Sequence, residues 1–322
     1  MKTLRSPGLW LPLLFVALFV VYPLITGSVS TRESMFTVLM SIALASSLNI
    51  LLGYTGYVSF GHIVYFGLGG YVGFYLIDEQ GWHLFPAALL GGLAAALLAL
   101  LLGLSILRLR GAYFALATIG INEAMKAFAK QFSLFGGPNG MELNFAVYRG
   151  YGGANTALWL VFWSLAALAL IVIVVSFMVK KSKFGLGLMA IREDEDAAEV
   201  MGVVAPRAKT WAYVLSAFFP GIIGVLFFFK NGVIEPESAF RLHLSIELLV
   251  MVMLGGQGTV LGPALGGAAY QILRRTLLTS PLFRDIQLVV AGVLLLLIVL
   301  FIPSGAVGWL RSRWAALRRV LE

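Results

Sequence analysis

About ten stretches of mostly apolar residues recur along the chain, each close to the 20 residues that cross a bilayer, and this recurrence limits the fold more than any other feature. Of the 322 residues, 60% are hydrophobic and 12% are charged, and the mean hydropathy is +0.94. Because a soluble domain usually carries about 25% charged residues, we predict an all-α integral membrane protein. The expected architecture is a polytopic bundle of about ten transmembrane helices, some of them short or broken glycine-rich helices. The predicted spans are 9–26, 35–52, 57–77, 85–105, 112–130, 156–179, 211–229, 244–257, 260–278 and 286–303.

The basic residues predict the orientation, because cytoplasmic loops of membrane proteins are enriched in Lys and Arg. The first apolar run is long for a cleaved signal peptide and many spans follow it, so we interpret it as a transmembrane helix. A cytoplasmic N-terminus puts most basic clusters on the cytoplasmic side, and the net charge of +8 then needs no nucleic-acid partner. These clusters are Lys2 and Arg5; Arg108 and Arg110; Lys180, Lys181 and Lys183; and Arg311, Arg313, Arg318 and Arg319. Arg274, Arg275 and Arg284 fall on the other side, where we expect them to cap a helix that ends early.

Two glycine-rich segments stand out, residues 53–73 and 255–267. Glycines four residues apart, such as Gly69 and Gly73 or Gly258 and Gly262, let helix backbones approach closely in lipid. We favour close packing as their role, with the lining of a transport pathway as the alternative. Interrupted spans in corresponding places of two halves are typical of transport sites, and the two segments share a weak Gly-x-x-Gly-x-Val pattern that permits an internal repeat.

The connection between the sixth and seventh predicted spans is the longest cytoplasmic loop in this orientation. Its part Ala190–Val203 has the pattern of a short amphipathic helix that Gly202 ends and Pro206 keeps from continuing. The apolar side is formed by Ile191, Ala197, Ala198 and Met201, and the opposite side by Arg192, Glu193, Glu195, Asp196 and Glu199. A solvated connecting helix is the simplest interpretation. Small alanines among acids also form a flat charged face that suits a protein partner better than an anionic membrane.

Sequence motifs of catalysis are missing. No phosphate-binding Gly-x-x-x-x-Gly-Lys-[Ser/Thr] loop occurs, so an ATP-driven transporter would need its ATPase on another chain. There is no cysteine, and we find neither a metal-ligand cluster nor a Ser–His–Asp set, so we expect no cofactor, metal site or catalytic residue. An ion-driven secondary transporter remains the main alternative class, followed by a membrane-embedded enzyme and a passive channel.

Polar residues inside predicted spans are costly and are functional candidates. Glu123 and Lys126 lie three residues apart on one predicted helix, and we expect them to pair. Glu247 lies near the start of a span, at the expected interface. His62 and Asn49 flank the first glycine-rich segment, and we expect His62 to be a hydrogen-bonded structural residue rather than a proton relay.

Several motifs, taken in order over about 250 residues, resemble the LivM-type permease subunits of bacterial ABC importers for branched-chain amino acids. They are "NILLGYTGYVSFGHIVYFGLGGY", "RLRGAYFALATIGINEAMKAF", "FGGPNGM", "SKFGLGLMAIREDEDAAEVMGV", "MLGGQGTVLGPALGGAAY" and "FIPSGAVGWL". The chain departs from the family at Tyr57, at the aromatic pair Tyr65 and Phe66, and at Pro220, which bears on the solute more than on the family. Relatives with similar permeases import urea, short amides or other small organic solutes.

The resemblance implies that residues 1–322 form a single transmembrane permease domain of the inner membrane, with cytoplasmic termini and a coupling loop at about 180–210. Its partners would be a second homologous permease, two ATPase subunits, a periplasmic or lipid-anchored solute-binding protein and the bilayer. The predicted ATPase-coupling residues are Ile191, Glu195, Ala197, Ala198, Met201 and Gly202. The predicted translocation path includes Tyr57, Ser59, His62, Tyr65, Gly69 and Gly258. Because the surroundings of Tyr57, Tyr65 and Phe66 are apolar and aromatic, we expect a leucine-like solute rather than urea.

Overall fold

The computed structural model describes residues 7–279 and 305–313, together with positions 289, 292, 293 and 296. Most of these residues are helical, as expected of an apolar chain in lipid, because a helix satisfies its own backbone polar groups. The first six helices are α1 Pro7–Thr26, α2 Val29–Thr55, α3 His62–Asp78, α4 Leu84–Ile106, α5 Ala112–Gln131 and α6 Ala154–Lys181. The others are α7 Lys183–Glu193, α8 Glu195–Val200, α9 Ala205–Asn231, α10 Pro236–Ala239, α11 Leu242–Gly255, α12 Leu261–Thr279 and α13 Gly305–Arg313.

Six helical stretches in the described part of the chain are long and apolar enough to cross a membrane. They are Gly8–Thr26, Val29–Thr55, Leu84–Ile106, Ala154–Lys181, Ala205–Asn231 and Pro236–Gly255. The prediction of an all-α polytopic membrane protein is therefore confirmed in its coarse form, while the number of about ten spans stays a prediction. The predicted span 286–303 lies outside the described residues, apart from four positions, as do Lys2, Arg5, Arg284, Arg318 and Arg319.

The chain divides into two compact units. The first unit comprises residues 1–54, 166–186 and 246–322, and the second comprises residues 55–165 and 187–245. Since α2, α6, α7 and α11 each contribute residues to both units, the division does not follow helix ends.

Close packing of α3, α4 and α9 forms the core of the second unit. A Cβ atom at Gly69 would collide with the backbone of Gly221 on α9, and one at Gly73 would collide with the side chain of Val225. The structure thus supports close packing as the role of Gly69 and Gly73. Pro220 lies inside α9, which continues past it to Asn231.

The predicted span 57–77 is wrong at its start, because α2 continues to Thr55 and α3 begins only at His62. Between them the chain turns at Gly56, whose φ of 76° is left-handed and favours glycine. The backbone N–H of Phe60 donates to the Thr118 hydroxyl at 3.1 Å, so α5 satisfies a backbone group that the break leaves free.

In the first unit a similar break separates α11 from α12, and buried Asn49 of α2 bridges it. The Asn49 side chain accepts a hydrogen bond from Gly258 N–H at 2.9 Å and donates one to the Thr259 carbonyl at 2.9 Å. Gly258 has a φ of 74°, close to the 76° of Gly56, so these glycines of the weak repeat share one local conformation. Gly258 is therefore a turn residue rather than part of a helix face.

Glu247 and Arg274 form an ion pair inside the first unit, with a distance of 3.0 Å between Arg274 Nη1 and Glu247 Oε2. Glu247 is buried inside the chain, and its expected position at the membrane interface stays a prediction. Arg274 lies within α12, which runs to Thr279, and its guanidinium neutralises a buried carboxylate. Arg274 therefore pairs with a carboxylate inside the unit rather than capping a helix that ends early.

A small cap joins the end of α5 to the end of α9 in the second unit. Met141–Glu142 pairs antiparallel with Val233–Ile234, so that Met141 lies opposite Ile234. Nearby, Lys126 Nζ lies 2.7 Å from Glu237 Oε2. The predicted Glu123–Lys126 pair is thus wrong, because Glu237 of α10 supplies the carboxylate that Lys126 contacts.

Candidate functional site

The predicted helix Ala190–Val203 is wrong as one continuous helix, because it divides into α7 and α8 at Asp194. Asp194 has an extended backbone, with φ −158° and ψ 115°, and its carboxylate accepts a hydrogen bond from Ala197 N–H at 2.9 Å. This is the N-cap arrangement for which Asp is strongly preferred. In the sequence, the signal for this break is Asp194 within the acidic run "EDED", because Asp begins a helix as an N-cap more readily than it continues one.

The end of α8 confirms the prediction that Gly202 ends this helix, while its role in ATPase coupling stays a prediction. Gly202 N–H donates to the Glu199 carbonyl at 2.9 Å, and Val203 N–H donates to the Ala198 carbonyl at 3.0 Å. With a φ of 91° at Gly202, these two bonds form the Schellman motif that closes a helix with a left-handed glycine. Pro206 lies in the first turn of α9, so it begins the next helix.

Two faces of α8 differ sharply in exposure. Ala198 is buried, as is Ile191 on α7. Val200 and Met201 are 89% and 84% exposed, and Ala197 and Gly202 are exposed beside them. The predicted apolar side is therefore wrong as one face, since part of it packs inward and part points outward. Apolar side chains this exposed are typical of a surface that a partner covers.

Glu195 faces inward, and the side chain of Lys209 on α9 meets it. The Lys209 side chain is 2% exposed and that of Glu195 is 13% exposed. Lys209 Nζ donates to Glu195 Oε1 at 2.6 Å, to Tyr57 Oη at 2.8 Å and to the Leu107 carbonyl at 2.9 Å. A lysine ammonium has three N–H donors, so all of them are used and the buried charge is fully compensated.

Tyr57 completes this arrangement from the break between α2 and α3. Its hydroxyl donates to Glu195 Oε2 at 2.9 Å, and Lys209 Nζ lies 4.8 Å from the centre of its ring. We call Glu195, Lys209, Tyr57 and the Leu107 carbonyl the Glu195 cluster. It connects α8 to α9, to the end of α4 and to the segment before α3. Tyr57 thus contacts Glu195, a predicted ATPase-coupling residue, and the role of Tyr57 in the translocation path stays a prediction.

Arg110 binds the outer side of α8. Its guanidinium donates twice to Asp196, at 2.7 Å to Oδ1 and 3.3 Å to Oδ2, and its Nε lies 3.6 Å from Glu195 Oε2. The paired guanidinium lowers the pKa of the Asp196 carboxyl below its usual value, and the carboxylate raises the pKa of Arg110. Both side chains are exposed, so the contact positions α8 more than it stabilises the fold.

Three of the predicted path residues form a separate buried cluster around Tyr213 of α9. The Tyr213 hydroxyl is hydrogen-bonded to Tyr65 and to Ser59. The rings of His62 and Tyr65 lie edge to face with centroids 5.9 Å apart. The structure brings Ser59, His62 and Tyr65 together, but Gly69 lies in the packing face of α3 and Gly258 belongs to the other unit.

Sequence reasoning missed Lys209 and the contact role of Arg110. The signal for Lys209 was a lone lysine just before a long apolar run, a position that often lies at a membrane interface.

As for metals, the described residues contain no group of three or more His, Asp or Glu that could hold an ion.

The chain matches the family described as "Branched-chain amino acid transport system / permease component" over residues 31–299. It is 28% identical to the high-affinity branched-chain amino acid transport system permease protein LivM of Salmonella typhimurium, over 94% of this chain and 75% of the relative. The LivM protein of Escherichia coli K12 is 30% identical over 82% of this chain and 67% of the relative. The LivH permease protein of the same strain is 26% identical over 80% of this chain and 90% of the relative.

No solved structure matches the chain significantly. The family match covers most of the sequence, including both glycine-rich segments and the whole of α7 and α8. It agrees with the long apolar helices and with the order of the motifs. This chain therefore belongs to the family of permease components of branched-chain amino acid transport systems.

Proposed function

We propose that this chain is a membrane-spanning permease subunit of an ATP-driven importer, and that its solutes are branched-chain amino acids. The family match over residues 31–299 carries the proposal. Relatives named LivM and LivH both resemble the chain, which supports pairing with a second, homologous permease. Two separate ATPase subunits and a solute-binding protein complete the proposed assembly.

In this proposal α8 is the element that contacts an ATPase. Its outward surface, formed by Ala197, Val200, Met201 and Gly202, offers apolar contact area that a partner can cover. Its inward surface is fixed by Glu195 and Ala198. A helix with one surface held by its own chain and the other exposed can pass a displacement from a partner to the spans.

The Glu195 cluster supplies the route for that displacement. When nucleotide-driven closure of the ATPases shifts α8, Glu195 pulls Lys209, which lies near the start of α9, in the same direction. Because α9 packs tightly against α3 and α4, the three helices move together. Glu195 therefore acts as a positioning residue within the chain, rather than as the direct ATPase contact that the sequence suggested.

The finer topology is part of the same proposal. We place the chain in the inner membrane, with both termini cytoplasmic, as a single permease domain of about ten spans. The basic residues Lys180 and Lys181 in the last turn of α6 and Arg108 and Arg110 after α4 support this orientation. The buried cluster of Ser59, His62 and Tyr65 remains our candidate for the translocation path.

The test has two parts, copurification and transport. Detergent-solubilised native membranes should yield this chain together with ATPase and second-permease chains, identified by mass spectrometry. The assembly in vesicles should then take up labelled leucine when ATP is supplied, also after ionophores have collapsed all ion gradients. Uptake that needs an ion gradient instead of ATP would point to a secondary transporter. ATP-driven uptake of urea without leucine uptake would keep the importer and replace its solute.

A further inference from the structure

A groove of about 520 Å³ lies between the end of α4 and the start of α9, and α8 contributes Glu195 and Glu199 to its lining. The apolar part of its lining, here called the apolar wall, includes Leu100, Leu104 and Trp211. The charged part, here called the charged wall, includes Arg108 and Arg207. Apolar and cationic walls in one groove match a ligand that is itself divided into an apolar part and an anionic part.

The apolar wall belongs to helices that are suited to cross the membrane. Both α4 and α9 are long and apolar enough to cross a membrane. Only 28% of the residues in the most apolar stretch of α4 are buried inside the chain. Leu104 is 69% exposed and Trp211 is 59% exposed. Tryptophan is enriched where membrane spans meet the interface, so this end of α4 and α9 suits the headgroup level. The groove would then open towards lipid rather than towards bulk water.

The charged wall carries two arginines that have no ion-pair partner in the described part of the chain. Lys209 and Arg110 also line the groove, but both are engaged by carboxylates of α8. Arg108 and Arg207 are exposed and form no such contact. Glu199 lies on the same lining and lowers the local positive potential without pairing with either arginine.

We propose that this groove binds one anionic phospholipid, with an acyl chain along Leu104 and Trp211 and the phosphate between Arg108 and Arg207. Arginine matches phosphate geometry through paired N–H donors, and basic grooves beside membrane spans favour anionic headgroups. A free phosphate would leave the apolar wall uncovered, so a lipid is the better fit. The groove also touches Glu195 and Lys209, and a bound lipid would therefore lie beside the coupling contact.

The experiment is native mass spectrometry of the purified full-length chain with phosphatidylglycerol or phosphatidylcholine titrated into the detergent. We compare the wild type with the double variant Arg108→Gln/Arg207→Gln. The control Arg149→Gln/Arg241→Gln removes the same charge from exposed arginines outside the groove. Each groove arginine should contribute about 5-fold to phosphatidylglycerol affinity, so the double variant should lose roughly 25-fold. Phosphatidylcholine carries the same phosphate next to a compensating trimethylammonium group, so its binding should be weaker in the wild type and should fall less than phosphatidylglycerol binding in the double variant. An unchanged helical circular dichroism signal reports that the variant is folded.

A variant that strengthens binding complements the losses. Glu199→Gln removes a negative charge from the groove and should tighten phosphatidylglycerol binding by about 2- to 5-fold. Equal wild-type affinity for the two lipids would overturn the proposal, as would a preference that survives in Arg108→Gln/Arg207→Gln. Complete competition by soluble glycerol phosphate would also overturn it, since the ligand would then be a free phosphate ester rather than a lipid.

Discussion

Lys209 Nζ lies 2.6 Å from Glu195 Oε1, and only 2% of the Lys209 side chain reaches solvent. The pair joins the short helix α8 to a long membrane-suited helix, α9. The cost of burying two charges is offset because Tyr57 and the Leu107 carbonyl satisfy the remaining donors of the ammonium. Removing either Lys209 or Glu195 alone should therefore destabilise the protein, because the other charge would stay buried without its partner.

Lys209→Met should destabilise the protein, because it leaves the mostly buried Glu195 with only the longer Arg110 contact of 3.6 Å. Breaking a buried pair from one side costs about 3–5 kcal/mol, and partial solvent access of Glu195 lowers our expectation to about 2–4 kcal/mol. Chemical unfolding in detergent measures the free energy of unfolding. Lys130→Met, which removes an exposed partner of Glu237, is the control and should cost less than 1 kcal/mol. A Lys209→Met loss no larger than this control would contradict the argument.

Tyr57→Phe should lower the number of leucine molecules transported per ATP without changing the affinity for leucine. The ring stays beside Lys209, but the hydroxyl that accepts from Lys209 and donates to Glu195 is lost, which costs about 1–3 kcal/mol. The measurement is the number of leucine molecules taken up per ATP hydrolysed, together with the concentration of leucine for half-maximal uptake. We expect the first quantity to fall and the second to stay constant. The reverse pattern would instead favour the prediction that Tyr57 belongs to the translocation path.

Met201→Asp should reduce ATPase copurification while the chain remains folded. Met201 is 84% exposed, so a carboxylate there meets water in the free chain and an apolar partner surface in the assembly. Burying an unpaired charge in such an interface should weaken binding at least 10-fold. Phe145→Asp, at another highly exposed apolar position, is the matched control and should leave the ATPase bound. Equal ATPase recovery from both variants would contradict the proposed docking surface.

Gly202→Ala should destabilise the α8 turn, because Gly202 has a φ of 91° and a Cβ is strained there although the space is open. The expected cost is about 1–2 kcal/mol. Gly187→Ala on α7 is the control, since its new Cβ would make ordinary contact with Val203 and helical alanine is favoured over glycine. Hydrogen exchange of residues 195–203 should speed up in Gly202→Ala alone. Unchanged exchange would show that the turn does not depend on this glycine.

The Arg110–Asp196 contact should depend on pH only in acid. Since Arg110 lowers the pKa of the Asp196 carboxyl, the contact stabilises the folded protein fully above the ordinary pKa of about 4. Its contribution is lost as the pH falls through the lower folded pKa. The difference in melting temperature between wild type and Asp196→Asn should be constant from about pH 5 to 8 and shrink below about pH 4. A difference that changes between pH 6 and 8 would assign the effect to another group.

The sequence alone determined the class of fold, the approximate positions of most long helices and the family motifs, because apolar length and local turn chemistry can be read along the chain. Gly202 shows this well, since a glycine after a short helix predicts its own left-handed turn. The weak Gly-x-x-Gly repeat permitted an internal repeat, but the shared left-handed conformation of Gly56 and Gly258 was seen only in the structure.

Only the tertiary structure decided which side chains meet. Lys209 and Glu195 are 14 residues apart and Tyr57 is 138 residues from Glu195, so no local pattern could join them. The same holds for Lys126, whose partner is Glu237 rather than the nearby Glu123. Helical spacing gives neighbours on one helix, whereas buried charges take whichever partner packing brings within reach, and packing depends on the whole unit.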